Sequence, residues 1–359
     1  MKKQMRFSRY MVIPLALMFL LAGSSMLADN GANHRVRNLH FGVSGGNVND
    51  ITRRFCCSGT LGALVQDSNG TQYILSNNHV MGLSGRARPG DDISQPGLID
   101  NNCDVATVVA DFTVAPPLSQ NVDCAIAQLR PGQMDGTGFI EDIGTISSTV
   151  QNPAIGLAVQ KSGRTTGHTT GTISSINTTV SVRYPKKCGS GGGTVFTFVN
   201  QVVVGGSSFS AGGDSGSLIV TNTGDGCAPR PVALLFAGSS TATIGNPVGQ
   251  VLSRLSASLG RTVSFVGSAC ASAPELGLRA EGLSRQDIER VSMVKERNEN
   301  RIMSQPSVIG MGVGVSDENP AEAVIVVYVN QHSGTRSRLP ENIDGVRVKV
   351  VQTDEFVAY

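Results

Sequence analysis

Residues 212–220 read GGDSGSLIV. Ser215 follows an acidic residue and is flanked by Gly213 and Gly216, so the backbone can turn sharply around it and aim the N–H groups of Gly213 and Ser215 at one point. Acyl transfer to a weak hydroxyl nucleophile needs such a Ser, a base to take its proton, a group that fixes the base's tautomer, and N–H donors for the oxyanion. The stretch contributes the first and the last. Gly, Ser and Asp also make ordinary turns, so the rest of the chain has to supply the other two. On either side lie short β-favouring runs, GTLGALV, TQYILS, DCAIAQL, GTISSI, TVFTFVNQVVV, SGSLIV and PVALLFAG, separated by Gly, Asn and Pro turns. Residues 29–270 therefore read as all-β, a barrel or a sandwich.

A base is supplied by His79, which ends the β-like run YILSNNHV in a Ser/Asn context. Next along the chain, Asp123 opens DCAIAQL. The order His, Asp, Ser is that of the chymotrypsin-type template, with separations of about 45 and 93 residues; here they are 44 and 92. His34 and His40 lie near the expected mature N-terminus, His332 is distal and His168 sits in a Thr/Gly turn, so none has the strand-end context. Asp100, Asp104 and Asp111 compete for the third role from a turn-rich stretch that reads as solvated loop.

The chain has 359 residues, 40% hydrophobic and 16% charged, which excludes a disordered or low-complexity protein. Its start, MKKQMRFSRY followed by MVIPLALMFLLAGSSMLA, has a basic flank, one apolar run and small residues leading to Ala28. Residues 1–28 read as a secretory signal, with an uncleaved anchor as the alternative. The protein is expected to be secreted, or held in the periplasm or cell envelope. Without the segment's four basic residues the chain carries 25 basic and 27 acidic groups, not the basic face of a nucleic-acid binder. The seven cysteines all follow the signal, where disulfides persist. Cys188 with Cys227, and Cys56 or Cys57 with Cys103, are possible pairs, while Cys124 in CAIAQL reads as a core residue. No metal-ligand spacing occurs, and neither a metal nor another cofactor is expected.

Charge density marks a boundary, with 29 charged residues in 29–270 and 23 in the much shorter 271–359. The first region closes with a helix read as capped by Asn246, with Pro247 at its first position, Val248, Val251, Leu252, Leu255 and Leu259 on one face, and Gly260 as its stop. A linker, 271–283, leads to a small α/β domain, 284–359. It opens with a charged helix capped by Ser284, with Ile288, Val291, Val294 and Ile302 on one stripe. Strand-like runs follow from Val308, Ala323 and Val346.

The phrases GTLGALV, LSNNHV, ISQPG, VDCAIAQL, VQKSGRTTGHTTGTI, FSAGGDSGSLIV and RPVALLFAGSS together resemble the trypsin-like serine peptidases of the chymotrypsin fold. The similarity is nearest to the bacterial streptogrisin and α-lytic group and to the narrow-leaf family of plants with its bacterial relatives. The resemblance implies an all-β double six-stranded antiparallel barrel, with His79 and Asp123 from the first barrel and Ser215 from the second. It also implies a Ser215 nucleophile, a His79 base, an Asp123 orienter and an oxyanion hole at the N–H groups of Gly213 and Ser215. Bacterial relatives hold the Asp before the nucleophile with an Arg in the segment matching QKSGRTTG. Here that position is Lys161, so Lys161, or failing it Arg164, is expected to partner Asp214. The Cys of the streptogrisin type after TTG is Thr170, so that disulfide is absent.

By position relative to Ser215, the primary pocket falls near Phe209 and Ser210, with Ala237, Gly238 and Ser239 along a wall. With no acid at the floor, a small or apolar guest is expected rather than Arg or Lys; His168 is the alternative, as a reader of acidic side chains. The distal segment resembles a small domain that accompanies bacterial peptidases of this type. Two roles are open to it, a cis-acting inhibitor or folding helper in contact with the peptidase domain, and a docking module. The expected partner is a protein or peptide substrate, and the competing whole-chain reading is a catalytically silent scaffold that binds.

Overall fold

The computed structural model describes residues 33–186, 188, 192–222, 224–269, 282–334 and 338–359; the expected signal, 1–28, Cys270 and most of the expected linker lie outside them. The first half supplies β1 (Val43–Asn47), β2 (Gly59–Leu61), β3 (Ala63–Asp67), β4 (Gln72–Ser76), the single helical turn α1 (Asn78–Met81), β5 (Asp92–Gln95), β6 (Thr107–Val114) and β7 (Ala125–Leu129). Neighbours are antiparallel in the order β3-β4-β7-β6-β5-β1-β2. Strands β2 and β3 are one run of chain broken only at Gly62, whose N–H donates to the Leu75 carbonyl of β4. The two ends of the order are thus joined, and the sheet closes into a six-stranded barrel.

A short hairpin, β8 (Phe139–Ile140) and β9 (Gly144–Thr145), leads to β10 (Ala158–Gly163), β11 (Gly167–Pro185), β12 (Gly193–Gly205), β13 (Leu218–Thr221), β14 (Pro231–Gly238) and β15 (Ala242–Pro247). These pair in the order β10-β13-β14-β15-β12-β11, and β10 also pairs β11, which closes a second six-stranded barrel. Closure buries both faces of the central strands, because one face fills a barrel and the other meets its neighbours. That is why PVALLFAG reads as a continuous apolar run, with every residue of β14 buried.

Helix α2 (Val248–Leu259) lays Val251 and Leu255 against the first barrel's core and ends where Gly260 takes a left-handed conformation, φ +73°. Its N-terminus differs from the sequence reading. Pro247 is the capping residue, no side chain caps the turn, and Asn246 is the penultimate residue of β15. The Asn246 side chain instead accepts from the Asp123 N–H and donates to Gln201. Strand β16 (Val263–Phe265) then adds to the edge of β3.

The C-terminal part has helix α3 (Arg285–Met303), β17 (Val308–Val315), β18 (Ala323–Asn330), β19 (Asn342–Ile343), β20 (Val346–Thr353) and β21 (Phe356–Ala358). Ser284 caps α3 by accepting from the Asp287 N–H. Ile288, Val291, Val294 and Ile302 pack with the inner side chains of β17 and β18. These strands continue the second barrel's sheet. β11, at 19 residues, runs beyond the barrel and pairs antiparallel with β17 from Ser175↔Gly314 to Val180↔Gly310, and the sheet extends through β18, β20 and β19. β21 lies between β11 and β14.

Among the described residues, the disulfides Cys56–Cys103 and Cys57–Cys188 tie surface loops. The second joins the chain entering β2 to the far end of the β11–β12 hairpin, so Cys188 does not pair with Cys227. Cys124 is a buried free thiol.

The barrels meet by direct backbone contact. Thr60 N–H donates to Ser215 O at 2.8 Å. A Cβ on Gly62 would lie 1.9 Å from Gly216 O, and a Cβ on Gly216, at φ +96°, would lie 2.1 Å from Thr60 O. Neither neighbour is a side chain that can swing away. Gly62→Ala is therefore expected to force the barrels apart and to cost about 1–3 kcal/mol or more, read as a lowered midpoint in urea unfolding.

Candidate active site

Asp123 stands just before β7, at the inner edge of the first barrel, with no exposed surface. Its carboxylate accepts from the His79 backbone N–H at 3.1 Å, from His79 Nδ1 at 2.5 Å and from the Tyr184 hydroxyl at 2.7 Å. Its own N–H donates to Asn246 Oδ1 at 2.9 Å, and its carbonyl accepts from Asn77 Nδ2 at 2.6 Å. Asn246 thus reaches across from the second barrel, where it also donates to Gln201. Burying a carboxylate is costly unless donors surround it, and here β11 and the α1 turn supply them, while Asn246 of β15 accepts from the main chain beside it.

Tyr184 gives no sequence signal for this role, since it lies 61 residues beyond Asp123 in an ordinary strand pattern. It is the hub of an aromatic group, edge-on to His79 at 5.9 Å and to Phe196 at 5.5 Å, and near Phe198. Burial and the neighbouring Asp123 charge push its phenol well above the usual range. Burial and Asp123 also push the Cys124 thiol well up, which leaves it inert as a nucleophile.

Ser215 lies on the tight turn between β12 and β13, with Gly213 at φ +100°. Gly213 O accepts from Thr60 Oγ1 at 3.0 Å, so the turn is held to the first barrel. Among the described residues, the N–H groups of Gly213 and Ser215 meet no acceptor, whereas those of Asp214, Gly216 and Ser217 do. The Ser215 hydroxyl donates to Phe236 O at 3.1 Å, and it makes no hydrogen bond to His79.

Asp214 is fully buried behind this turn. It accepts from the N–H groups of Ala211, Thr165 and Thr166 and from the Thr166 hydroxyl. Lys161 Nζ lies 3.5 Å from its Oδ2, with no exposed surface, and also donates to Gly167 O at 2.9 Å. Burial pushes the Lys161 ammonium below its ordinary value, and the Asp214 charge opposes that. Arg164 has a different partner. It makes a two-pronged pair with Asp100 at 2.6 and 2.8 Å, and Asp100 also accepts from Ser44. Asp100 is thus a nearly buried structural acid, not a solvated loop residue. Asp111 pairs with Arg130 on the barrel surface. His34 is buried on Gly42 O and Asp142, and His168 meets Gln160 at the surface.

Between His79 and Ser215 lies the end of β21. Tyr359 O is 2.9 Å from His79 Nε2, and Tyr359 N–H donates, at a long 3.5 Å, to the same Phe236 carbonyl that Ser215 uses. Ala358 and Val357 pair antiparallel with Ala237 and Gly238. The Tyr359 ring packs on the cluster that contains Phe209 and lies over Gly238, where a Cβ would stand 2.0 Å from its Oη. Its hydroxyl donates to Ser239 O at 3.3 Å. Of the five residues expected to line the pocket, Phe209, Ser210, Gly238 and Ser239 sit around this aromatic ring, and Ala237 pairs with Ala358 of β21. Ser210 is bound to Thr243 at 2.6 Å beneath it.

His79 faces a carboxylate on Nδ1 and a main-chain oxygen on Nε2, and satisfies both only as imidazolium. Burial lowers its pKa, but the Asp123 charge and hydrogen bond, the Tyr359 main-chain oxygen and the charge of Asp50 outweigh burial and hold it above the ordinary histidine value. Because the folded-state value is raised, this contribution to stability is complete below about pH 6.5 and is lost as the pH rises through the raised value. Burial also raises the Asp50 carboxyl, against the opposing charges of Arg86 and His79. Among the described residues no group of His, Cys, Asp and Glu could hold a metal.

Residues 108–248 match the Nal1 C-terminal domain. Protein NARROW LEAF 1 of Oryza sativa subsp. japonica is 35% identical over 108 residues, a match that spans 29% of this chain and 17% of the plant protein. Similar solved structures include Protease A of Thermobifida fusca, 19% identical over 63% of this chain and 98% of that one, with a TM-score of 0.40. Cellulomonas bogoriensis chymotrypsin is 18% identical over 64% of this chain and 99% of that one, with a TM-score of 0.41. A serine protease described as specific for glutamic acid is 20% identical over 63% and 98%, with a TM-score of 0.43.

Two substitutions test the buried charges. Lys161→Met leaves Asp214 without its cation and is expected to cost about 3–5 kcal/mol, measured by urea unfolding. Tyr184→Phe removes a donor to a carboxylate and is expected to cost about 1.5–3 kcal/mol. It also leaves more of the Asp123 charge for the imidazole, so the His79 pKa should rise further in an NMR titration.

Proposed function

We propose that the chain is an exported serine endopeptidase that works through an acyl-enzyme. The observation that carries the reading is the His79–Asp123 contact at 2.5 Å, facing the Ser215 turn across the seam of two barrels. In this reading Ser215 Oγ attacks the peptide carbonyl once His79 Nε2 is free to take its proton, and His79 then returns the proton to the leaving amine. Asp123 keeps Nδ1 protonated and stabilises the imidazolium, with Tyr184 and Asn246 as its positioning residues. The unpaired N–H groups of Gly213 and Ser215 would receive the oxyanion. Lys161 beside Asp214 supports a turn formed without a chain cut, since the charge that neutralises Asp214 is already in place. Export is favoured by the residue 1–28 pattern and by two disulfides, which persist outside the reducing cytoplasm.

A second reading, a silent scaffold that binds peptides, is favoured by the Ser215 hydroxyl resting on Phe236 O and by the filled groove. A fluorophosphonate probe separates the two. Tyr359→Ala, with the ring gone from the groove, is expected to be labelled faster than wild type, and Ser215→Ala is not labelled. Peptide hydrolysis should fall about 10⁴–10⁶-fold in Ser215→Ala. Folded protein that takes no label in either form points to the scaffold.

A further inference from the structure

Phe356–Tyr359 meets the barrel seam as an added strand. Its pairing with Ala237 and Gly238 is antiparallel, and on its other side Val182 and Arg183 of β11 pair parallel with Phe356 and Val357. An extended peptide that joins a sheet edge in this way draws affinity from its main chain and selectivity from the pockets its side chains enter. The residue whose main-chain oxygen faces His79 is Tyr359, and its ring fills the pocket bounded by Phe209, Ser210, Gly238 and Ser239.

We propose that Phe356–Tyr359 is a built-in occupant of the substrate groove that holds the site closed, and that the groove selects peptides with Tyr or Phe as the residue whose carbonyl is attacked. The proposal rests on the peptidase reading for the word "attacked", but the occupancy and the preference are properties of binding alone.

The chemistry of the pocket agrees with an aromatic guest. Gly238 leaves room that any Cβ would take away, Phe209 offers an apolar surface, and Ser239 O accepts from a phenol at the far end. The pocket offers a cation no free counter-charge, because the nearby Asp214 already has Lys161 and four hydrogen-bond donors. The same carboxylate disfavours an acidic guest. Three contacts that do not involve Tyr359 bring the segment in: Glu355 with Arg183 at 2.7 Å, and the Thr353 hydroxyl with those of Ser239 and Thr241. The β11–β17 pairing sets the whole C-terminal sheet beside the groove, so the occupant is held at a high effective concentration.

The test reads binding without turnover, in full-length Ser215→Ala and Ser215→Ala/Tyr359→Ala, each checked for a cooperative thermal melt. The probes are N-acetyl-Phe-Val-Ala-Xaa-amide peptides with Xaa as Tyr, Phe, Ala, Lys or Asp, titrated by calorimetry. Removing the ring is expected to tighten binding of the Tyr peptide at least about tenfold, and in that variant Tyr and Phe should bind at least about tenfold tighter than the other three. Should Tyr359→Ala fail to fold, Tyr359→Leu, which keeps an apolar side chain, serves in its place. Equal affinity with and without the Tyr359 ring, or tightest binding of the Ala, Lys or Asp peptide, overturns the proposal. Selective binding of this kind, with no hydrolysis of the Tyr peptide by the Tyr359→Ala chain that keeps Ser215, supports the occupied groove and sinks the peptidase reading instead.

Discussion

Two curled sheets share one site only if their backbones come close enough to fix each other's loops. In this protein that approach is the contact of Thr60 and Gly62 with Ser215 and Gly216, where carbonyl oxygens occupy the space of missing side chains. Thr60 serves the seam three times, through its N–H on Ser215 O and through its hydroxyl, which donates to Gly213 O and accepts from the Arg164 N–H. The position of the Ser215 turn relative to His79 follows from this strip of main chain. Side chains can then be added to a frame that does not itself bend.

Buried charge is the second constraint. Asp123 and Asp214 are both removed from water, and each is surrounded by donors drawn from several elements. Such networks are costly when incomplete and specifying when complete. Asp123 draws on both barrels, through His79 and Asn77 from one and Tyr184 and Asn246 from the other. Asp214 draws on the β10–β11 turn, so the shape of the Ser215 turn is coupled to the start of the long strand β11.

β11 links the two regions that composition separates. Its first part closes the second barrel, and its outer part offers an edge to β17, which a free hairpin would leave open to other chains. The C-terminal sheet covers that edge and in turn directs β21 between β11 and β14. The sharp rise in charge after residue 270 reads as a boundary between units, yet the hydrogen-bonded sheet runs through it. Charge density reports the solvated helix α3 and the exposed strand β20, and carries no information about which edges are paired.

Signals that lie close together in the chain are those legible without coordinates. Apolar runs between Gly and Pro turns mark the strands, the G-D-S-G turn marks Ser215, strand-end context singles out His79 and Asp123, and Ser284 announces α3. Lys161 is legible as the partner of Asp214 only through resemblance. The guest of the pocket, the partner of Cys188, the duty of Asn246 and the role of Tyr184 are not legible, because each depends on which distant strands become neighbours. A capping Asn and an Asn that bonds a backbone N–H in another barrel have the same local sequence, and a strand Tyr carries no mark of the carboxylate it will face. Local propensity and turn chemistry are written residue by residue, so the sequence by itself determined the elements and the candidate site side chains. Closure of the barrels and the continuation of the second sheet decided their surroundings, since only a closed sheet brings residues 60, 79, 123, 184, 215 and 359 to one seam.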